Sequence, residues 1–135
     1  MRKAEQKVWD AMRRAQKQHA PNLWMQRVEN LAGDGMPDVY VEAYWVELKA
    51  GKMPKRSTTR LQYSEGVRQS QVNWHLKAVT RDVVSYVLIR IEQAMSEPLL
   101  ISGVWADKIN DFTWAEAVNA SVARGWEEIF EELTR

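Results

Sequence analysis

The sequence predicts an α/β fold, a mixed central sheet of four or five strands flanked by helices, and three observations carry that prediction. Residues 2–18 place Ala4, Val8, Ala11, Met12 and Ala15 on one side at helical spacing. Residues 38–50 and 83–91 alternate polar and apolar side chains or concentrate β-branched ones, as strands do. Thr113-Trp114-Ala115-Glu116 has the form of a capping box, which opens a helix near the C-terminus.

Taken in order, the first helix runs from Arg2 to about Gln18, and Pro21 stops it. A short extended run, Leu23 to Val28, leads into Gly33-Asp34-Gly35-Met36-Pro37, where two glycines and a proline mark an irregular turn. Two strands follow, Asp38 to Val41 and Trp45 to Ala50. Val39 and Val41 share one face of the first, and Val46, Leu48 and Ala50 one face of the second. Residues 51–65 read as a mobile basic loop. A second helix is expected from about Gly66 to Val79, with Val67, Gln71, Trp74 and Leu76 on related turns. Val83 to Ile91 is the clearest strand and Leu99 to Val104 a weaker one. A final helix from Thr113 to about Leu133, with a bend at Gly125, packs Trp114, Trp126, Ile129 and Leu133 and turns Glu127, Glu128, Glu131 and Glu132 to solvent.

At 135 residues the chain fits one domain. It has no cysteine, which excludes disulfide staples and thiolate metal sites and suits a reducing compartment. No apolar stretch approaches the ~20 residues of a membrane span, so a cytoplasmic address is expected, the host's cytoplasm if the gene is carried by a phage. The net charge of +1 conceals an asymmetry: residues 1–90 hold 16 Lys/Arg against 9 Asp/Glu, and residues 91–135 hold 3 against 9. The basic part suits a polyanion. The seven tryptophans are spread over every element and read mostly as packing, Trp45 excepted because it shares a face with Glu47 and Lys49. His19 and His75 have no metal-ligand spacing and read as surface or boundary histidines.

The chemistry centres on Pro37-Asp38 followed by Glu47-Leu48-Lys49. Glu47 and Lys49 are two apart in a strand and project together, while Val46, Leu48 and Ala50 enter the core. A tight turn at Glu42-Ala43 sets Asp38 opposite Glu47; a turn at Ala43-Tyr44 sets it opposite Lys49. A slip of one residue would bury the Asp38 charge among apolar side chains at a cost of several kcal/mol. Two carboxylates roughly 5–7 Å apart repel one another unless a cation sits between them, and a hard divalent ion, Mg²⁺ or Mn²⁺, suits oxygen ligands. The bland alternative is a pair of exposed strand-edge acids bridged by Lys49.

Gly35-Met36-Pro37-Asp38, then Glu47-Leu48-Lys49-Ala50, then Gln71-Val72-Asn73-Trp74 resembles the PD-(D/E)XK nuclease superfamily, and most of all its VRR-NUC branch. The resemblance spans residues 5 to about 91, leaving residues 92–135 as an unmatched strand and helix. It implies a restriction-endonuclease-like core with the site at a sheet edge. Asp38, Glu47 and the Leu48 carbonyl would hold Mg²⁺ or Mn²⁺, Lys49 would position the attacking water, and Gln71 would support the site. An acid from the first helix would complete the set: Glu5 by its place beside the apolar stripe, with Glu29 as rival. Lys49 and Gln71 are 22 positions apart, more than is usual in the family, which leaves Gln62 and Gln69 as competitors of Gln71. The extra loop carries Lys52, Lys55, Arg56 and Arg60, which would grip DNA phosphates. The implied activity is a metal-dependent DNA endonuclease selective for branched DNA such as a Holliday junction, acting as a homodimer. A nickase or repair endonuclease on flaps or duplex, and a catalytically silent DNA-binding accessory, are the alternatives.

Overall fold

The structure is a computed structural model that describes residues 3–28, 35–92 and 97–135; Glu29 and the Gly33-Asp34 part of the expected turn lie outside them. The helix expected at the start is α1 (Lys3–His19), and its predicted stripe is its buried one: Val8, Ala11, Met12 and Ala15 are all below a tenth exposed. Then come β1 (Met25–Arg27), β2 (Val39–Val41), β3 (Tyr44–Lys52), β4 (Gln62–Tyr63), α2 (Gln69–Thr80), β5 (Ser85–Ile91) and β6 (Leu99–Ser102). After a short 3-10 stretch at Gly103–Trp105 the chain continues through α3 (Trp114–Ala120), β7 (Ser121–Arg124) and α4 (Trp126–Leu133).

The α/β class stands, with a larger sheet than expected. Among the described residues it has seven strands in the order β1-β2-β3-β5-β6-β7, with β4 paired to β3 beside this path. All pairings are antiparallel except the central one, where β3 and β5 run parallel from Trp45↔Ser85 to Gly51↔Ile91. A parallel pair needs a crossover, and α2 supplies it.

Two differences concern whole elements. Part of the segment expected to be loop is strand: β3 runs on to Lys52, and β4 folds back to pair Gly51↔Tyr63. The expected C-terminal helix is two helices with a strand between. Thr113 and Glu116 do exchange both bonds of the capping box, at 3.2 and 2.9 Å. The helix nevertheless ends at Ala120, because Ser121–Arg124 pairs with β6 along the sheet's edge. Gly125, at φ +84°, then turns the chain into α4, a backbone conformation that other residues adopt only with strain.

Alternation in the strands sorts the core into two layers. Val46, Leu48, Leu88 and Leu100 meet α1 and α4 on one face, with Met12, Ile129 and Phe130. Val87, Ile89, Leu99 and Ile101 meet Val72 of α2 and Ala117 of α3 on the other. The sheet is therefore covered on both sides, and polar groups on its central strands must find partners inside.

Candidate active site

The β2–β3 hairpin turns at Glu42-Ala43, pairing Val41↔Tyr44 and Val39↔Val46. That register is the one that sets Asp38 opposite Glu47. Glu42 adopts φ +47° in the turn. The pairing of β2 with β3 stops at Val39↔Val46, and on the same side the segment through β4 takes over at Ala50, whose carbonyl accepts from the Ser64 N–H at 3.0 Å, followed by Gly51↔Tyr63. Between them the edge of β3 has no strand partner from Glu47 to Lys49. The site lies in this notch in the middle of the sheet, not at an outer edge as expected, because β5 covers the other side of β3. Asp38 fills part of the notch: its Oδ2 accepts from the Leu48 N–H at 2.8 Å. The N–H and C=O of one strand residue point to the same side, so the Leu48 carbonyl is directed to that opening too.

Glu47 and Lys49 are both fully buried, on the α2 side of the sheet. The Lys49 ammonium has three N–H donors. It donates to the Gly66 carbonyl and to Gln71 Oε1, both at 3.2 Å. It also lies 3.6 Å from Glu47 Oε2 and 3.7 Å from Glu5 Oε1. Gln71 is a clamp. Its Oε1 additionally accepts from the Arg68 N–H at 2.9 Å, and its Nε2 donates to Glu47 Oε2 at 2.9 Å, so one amide at the start of α2 orients both the acid and the amine. The rivals stay outside: Gln62 is exposed on β4, and Gln69 is exposed and bonded to Asn73.

Two further features hold this arrangement. Gly35 has φ +85°, and a Cβ on it would sit 2.2 Å from the Ser70 carbonyl oxygen. The glycine two residues ahead of Pro37 thus lets the loop before Asp38 lie directly against the first turn of α2. Glu5, on the inward side of α1, is 1% exposed and faces the Lys49 amine. Among the described residues no three His, Asp or Glu side chains gather in metal-binding geometry; Asp38 and Glu5 are both close enough to Glu47 for their charges to raise it, Asp38 the more strongly. The protein offers two facing carboxylates, and Glu5 sits beside the cation.

His75 corrects the sequence reading. It is fully buried rather than at the surface, one helical turn after Gln71. Its Nδ1 lies 2.7 Å from Ser85 Oγ, and its Nε2 lies 4.0 Å from Glu47 Oε1. Neither that nitrogen nor that oxygen has a hydrogen-bond partner, although both are buried. The available signal was the four-residue spacing from Gln71, which puts both side chains on one helix face.

Electrostatics follow from burial. Desolvation raises Glu47 well above its ordinary 4.5; the facing Asp38 carboxylate adds to this by repulsion and by a hydrogen bond that favours the protonated form, while Lys49 partly opposes it. Burial lowers His75 from 6.5 to about 4, with the Lys49 charge contributing, so the imidazole is neutral near pH 7.

The expected phosphate-gripping residues lie at the protein surface. Lys52, Lys55, Arg56 and Arg60 are all exposed. Lys52 pairs with Glu92 at 3.8 Å and Arg60 with Asp111 at 3.6 Å, exposed contacts worth little to stability. No helix of the described residues is long and apolar enough to cross a membrane. No protein-family model matches the chain, and no curated protein shows significant similarity to it.

Proposed function

We propose that this protein is a metal-dependent DNA endonuclease. The observation that carries the reading is the notch in the sheet, where Asp38 faces Glu47 beside a buried amine. A buried carboxylate oxygen without a partner, on a glutamate whose ionised form is disfavoured by a second carboxylate, fits a site completed by a cation. Two protein carboxylates suit Mg²⁺ or Mn²⁺, since Mg²⁺ commonly takes one or two acids and fills its other positions with water and substrate phosphate. When bound there, the ion would neutralise a phosphodiester oxygen and make a water more acidic.

The chain's own groups do the rest. Lys49 spends two donors on Gly66 and Gln71, and its third faces the carboxylates, where it can hold the attacking water. Gln71 keeps Glu47 and Lys49 in register. Glu5 stabilises the charged amine inside the protein. His75 and Ser85 fill the space behind Glu47 with neutral polar groups. Exposed Lys52, Lys55, Arg56 and Arg60 grip the backbone without reading sequence, which favours recognition by DNA shape. A homodimer would bring two such sites to branched DNA and cut two strands related by its symmetry.

The test incubates the protein with a four-way junction, a flap and plain duplex in Mg²⁺, Mn²⁺ or EDTA, beside Asp38→Ala and Lys49→Ala. Cleavage that needs the metal and is lost in both variants is expected. Cleavage in EDTA, or unchanged cleavage by the variants, rejects the mechanism; binding of DNA without any cleavage by the parent favours a silent accessory instead.

A further inference from the structure

The side of β2 and β3 that carries Asp38 and Glu47 also carries a line of aromatic rings. Trp24 meets Tyr40 with centroids 5.3 Å apart, Tyr40 meets Trp45 at 5.1 Å, and Trp45 meets Trp74 at 6.0 Å. Trp74 in turn lies 5.5 Å from His75, whose Nε2 faces Glu47. The line therefore runs from the edge strand to the notch. Core packing alone does not account for it: Trp24 is 56% exposed, and Tyr40, Trp45 and Trp74 are half-buried. Tilted and edge-to-face contacts hold the rings in fixed orientations while leaving surface open to solvent.

Charge favours a polyanion here. Lys77 lies one turn after Trp74 on α2 and Arg81 is the cap at the helix's C-terminal end, followed by Asp82; Lys77, Arg81 and Asp82 are all exposed. Glu42, an acid beside Trp24, accepts from the Trp24 backbone N–H at 3.1 Å.

We infer that Trp24, Tyr40, Trp45 and Trp74 form a stacking platform for unpaired nucleobases, with Lys77 and Arg81 holding the phosphates between them. Its placement next to a scissile phosphate rests on the nuclease reading, and it defines the substrate class as DNA with unpaired nucleotides beside the cut. A paired base has both faces covered by its neighbours in the duplex, so these rings select single strands; every base has a π-face, so they do so without sequence preference.

The test measures anisotropy of a fluorescein-labelled oligo(dT) of about 12 nucleotides, within the site sizes of single-strand binders, in EDTA so that nothing is cut. The parent is compared with Trp24→Ala, Tyr40→Ala and, as control, Trp105→Ala, which removes another exposed tryptophan whose ring packs on Phe112. Trp24→Ala and Tyr40→Ala each weaken binding roughly 5- to 150-fold, and Trp105→Ala leaves it unchanged. An abasic oligomer of the same length binds the parent at least as weakly as oligo(dT) binds Trp24→Ala. The double variant Lys77→Gln/Arg81→Gln lowers the slope of log affinity against log salt by about 1.4. Parent-like binding by both aromatic variants, or equal affinity for abasic and normal oligomers, overturns the platform. Cleavage in Mg²⁺ is read separately: a parent that stacks oligo(dT) but cuts no DNA removes the nuclease reading alone, and a parent that cuts while Trp24→Ala binds normally removes the platform alone.

Discussion

Replacing Lys49 with methionine keeps a long side chain and deletes its charge. The amine is fully buried, with Glu5 at 3.7 Å and Glu47 at 3.6 Å, so the variant leaves both acids without that cation. A glutamate that must fold protonated at pH 7 costs about 1.4 kcal/mol for each pH unit above its ordinary 4.5, or roughly 3.4 kcal/mol. Glu47 already bears part of this cost in the parent, because its folded value is raised; such a group favours folding below its unfolded value and ceases to do so as pH climbs through the folded one. Together with the lost bonds to Gly66 and Gln71, the expected deficit at pH 7 is roughly 3–5 kcal/mol, the range for breaking a buried ion pair. Urea unfolding at pH 7 and pH 5 reads it. At pH 5 the unfolded glutamates are close to taking up their own protons, so the deficit shrinks by roughly 2 kcal/mol. A loss under about 1 kcal/mol, or one identical at the two pH values, would refute Lys49 as the buried counter-charge.

Further expectations follow from the same geometry. Gly35→Ala must hold a left-handed φ and push a methyl group to 2.2 Å from the Ser70 carbonyl, so thermal unfolding should show a loss of roughly 2–4 kcal/mol; an unchanged midpoint would mean the loop does not lie on α2. His75 is lowered to about 4 from 6.5, so the unfolded chain takes up a proton that the folded chain refuses and stability declines as pH drops through that window, by about 3 kcal/mol in all. The difference in unfolding free energy between parent and His75→Gln should track that window, and a flat difference would contradict a buried neutral imidazole. Gln71→Leu removes the amide that both Glu47 and Lys49 contact; single-turnover cleavage should slow on the order of 10²-fold while DNA affinity in EDTA stays within about threefold, and equal losses in both would assign Gln71 to binding instead.

Local pattern was enough for much of this protein. The apolar stripe of α1 and the alternation of β3 are periodicities of a few residues, and each decides which side of its own element carries the apolar side chains. Alternation likewise placed Glu47 and Lys49 on one side, and the apolar face of β2 ruled out a slipped register, leaving two turns open; the fold chose Glu42-Ala43. The Thr113 capping box was legible because its partners are three residues apart.

What the chain could not disclose depended on neighbours distant in sequence. Ser121–Arg124 reads as helix and becomes β7 because the edge of β6 is there to pair with it. Two residues of β4 form a strand only beside Gly51 and Lys52, and by joining there they leave the notch that Asp38 enters. His75 looks like any surface histidine until α2 docks and carries it, with Gln71, onto Glu47. Residue types and short spacings thus determined the α/β class and the core of the acid-amine set. The docking of α2 across β3 and β5 alone decided how deeply those groups are buried, and burial is what makes their charges strong enough to act on one another.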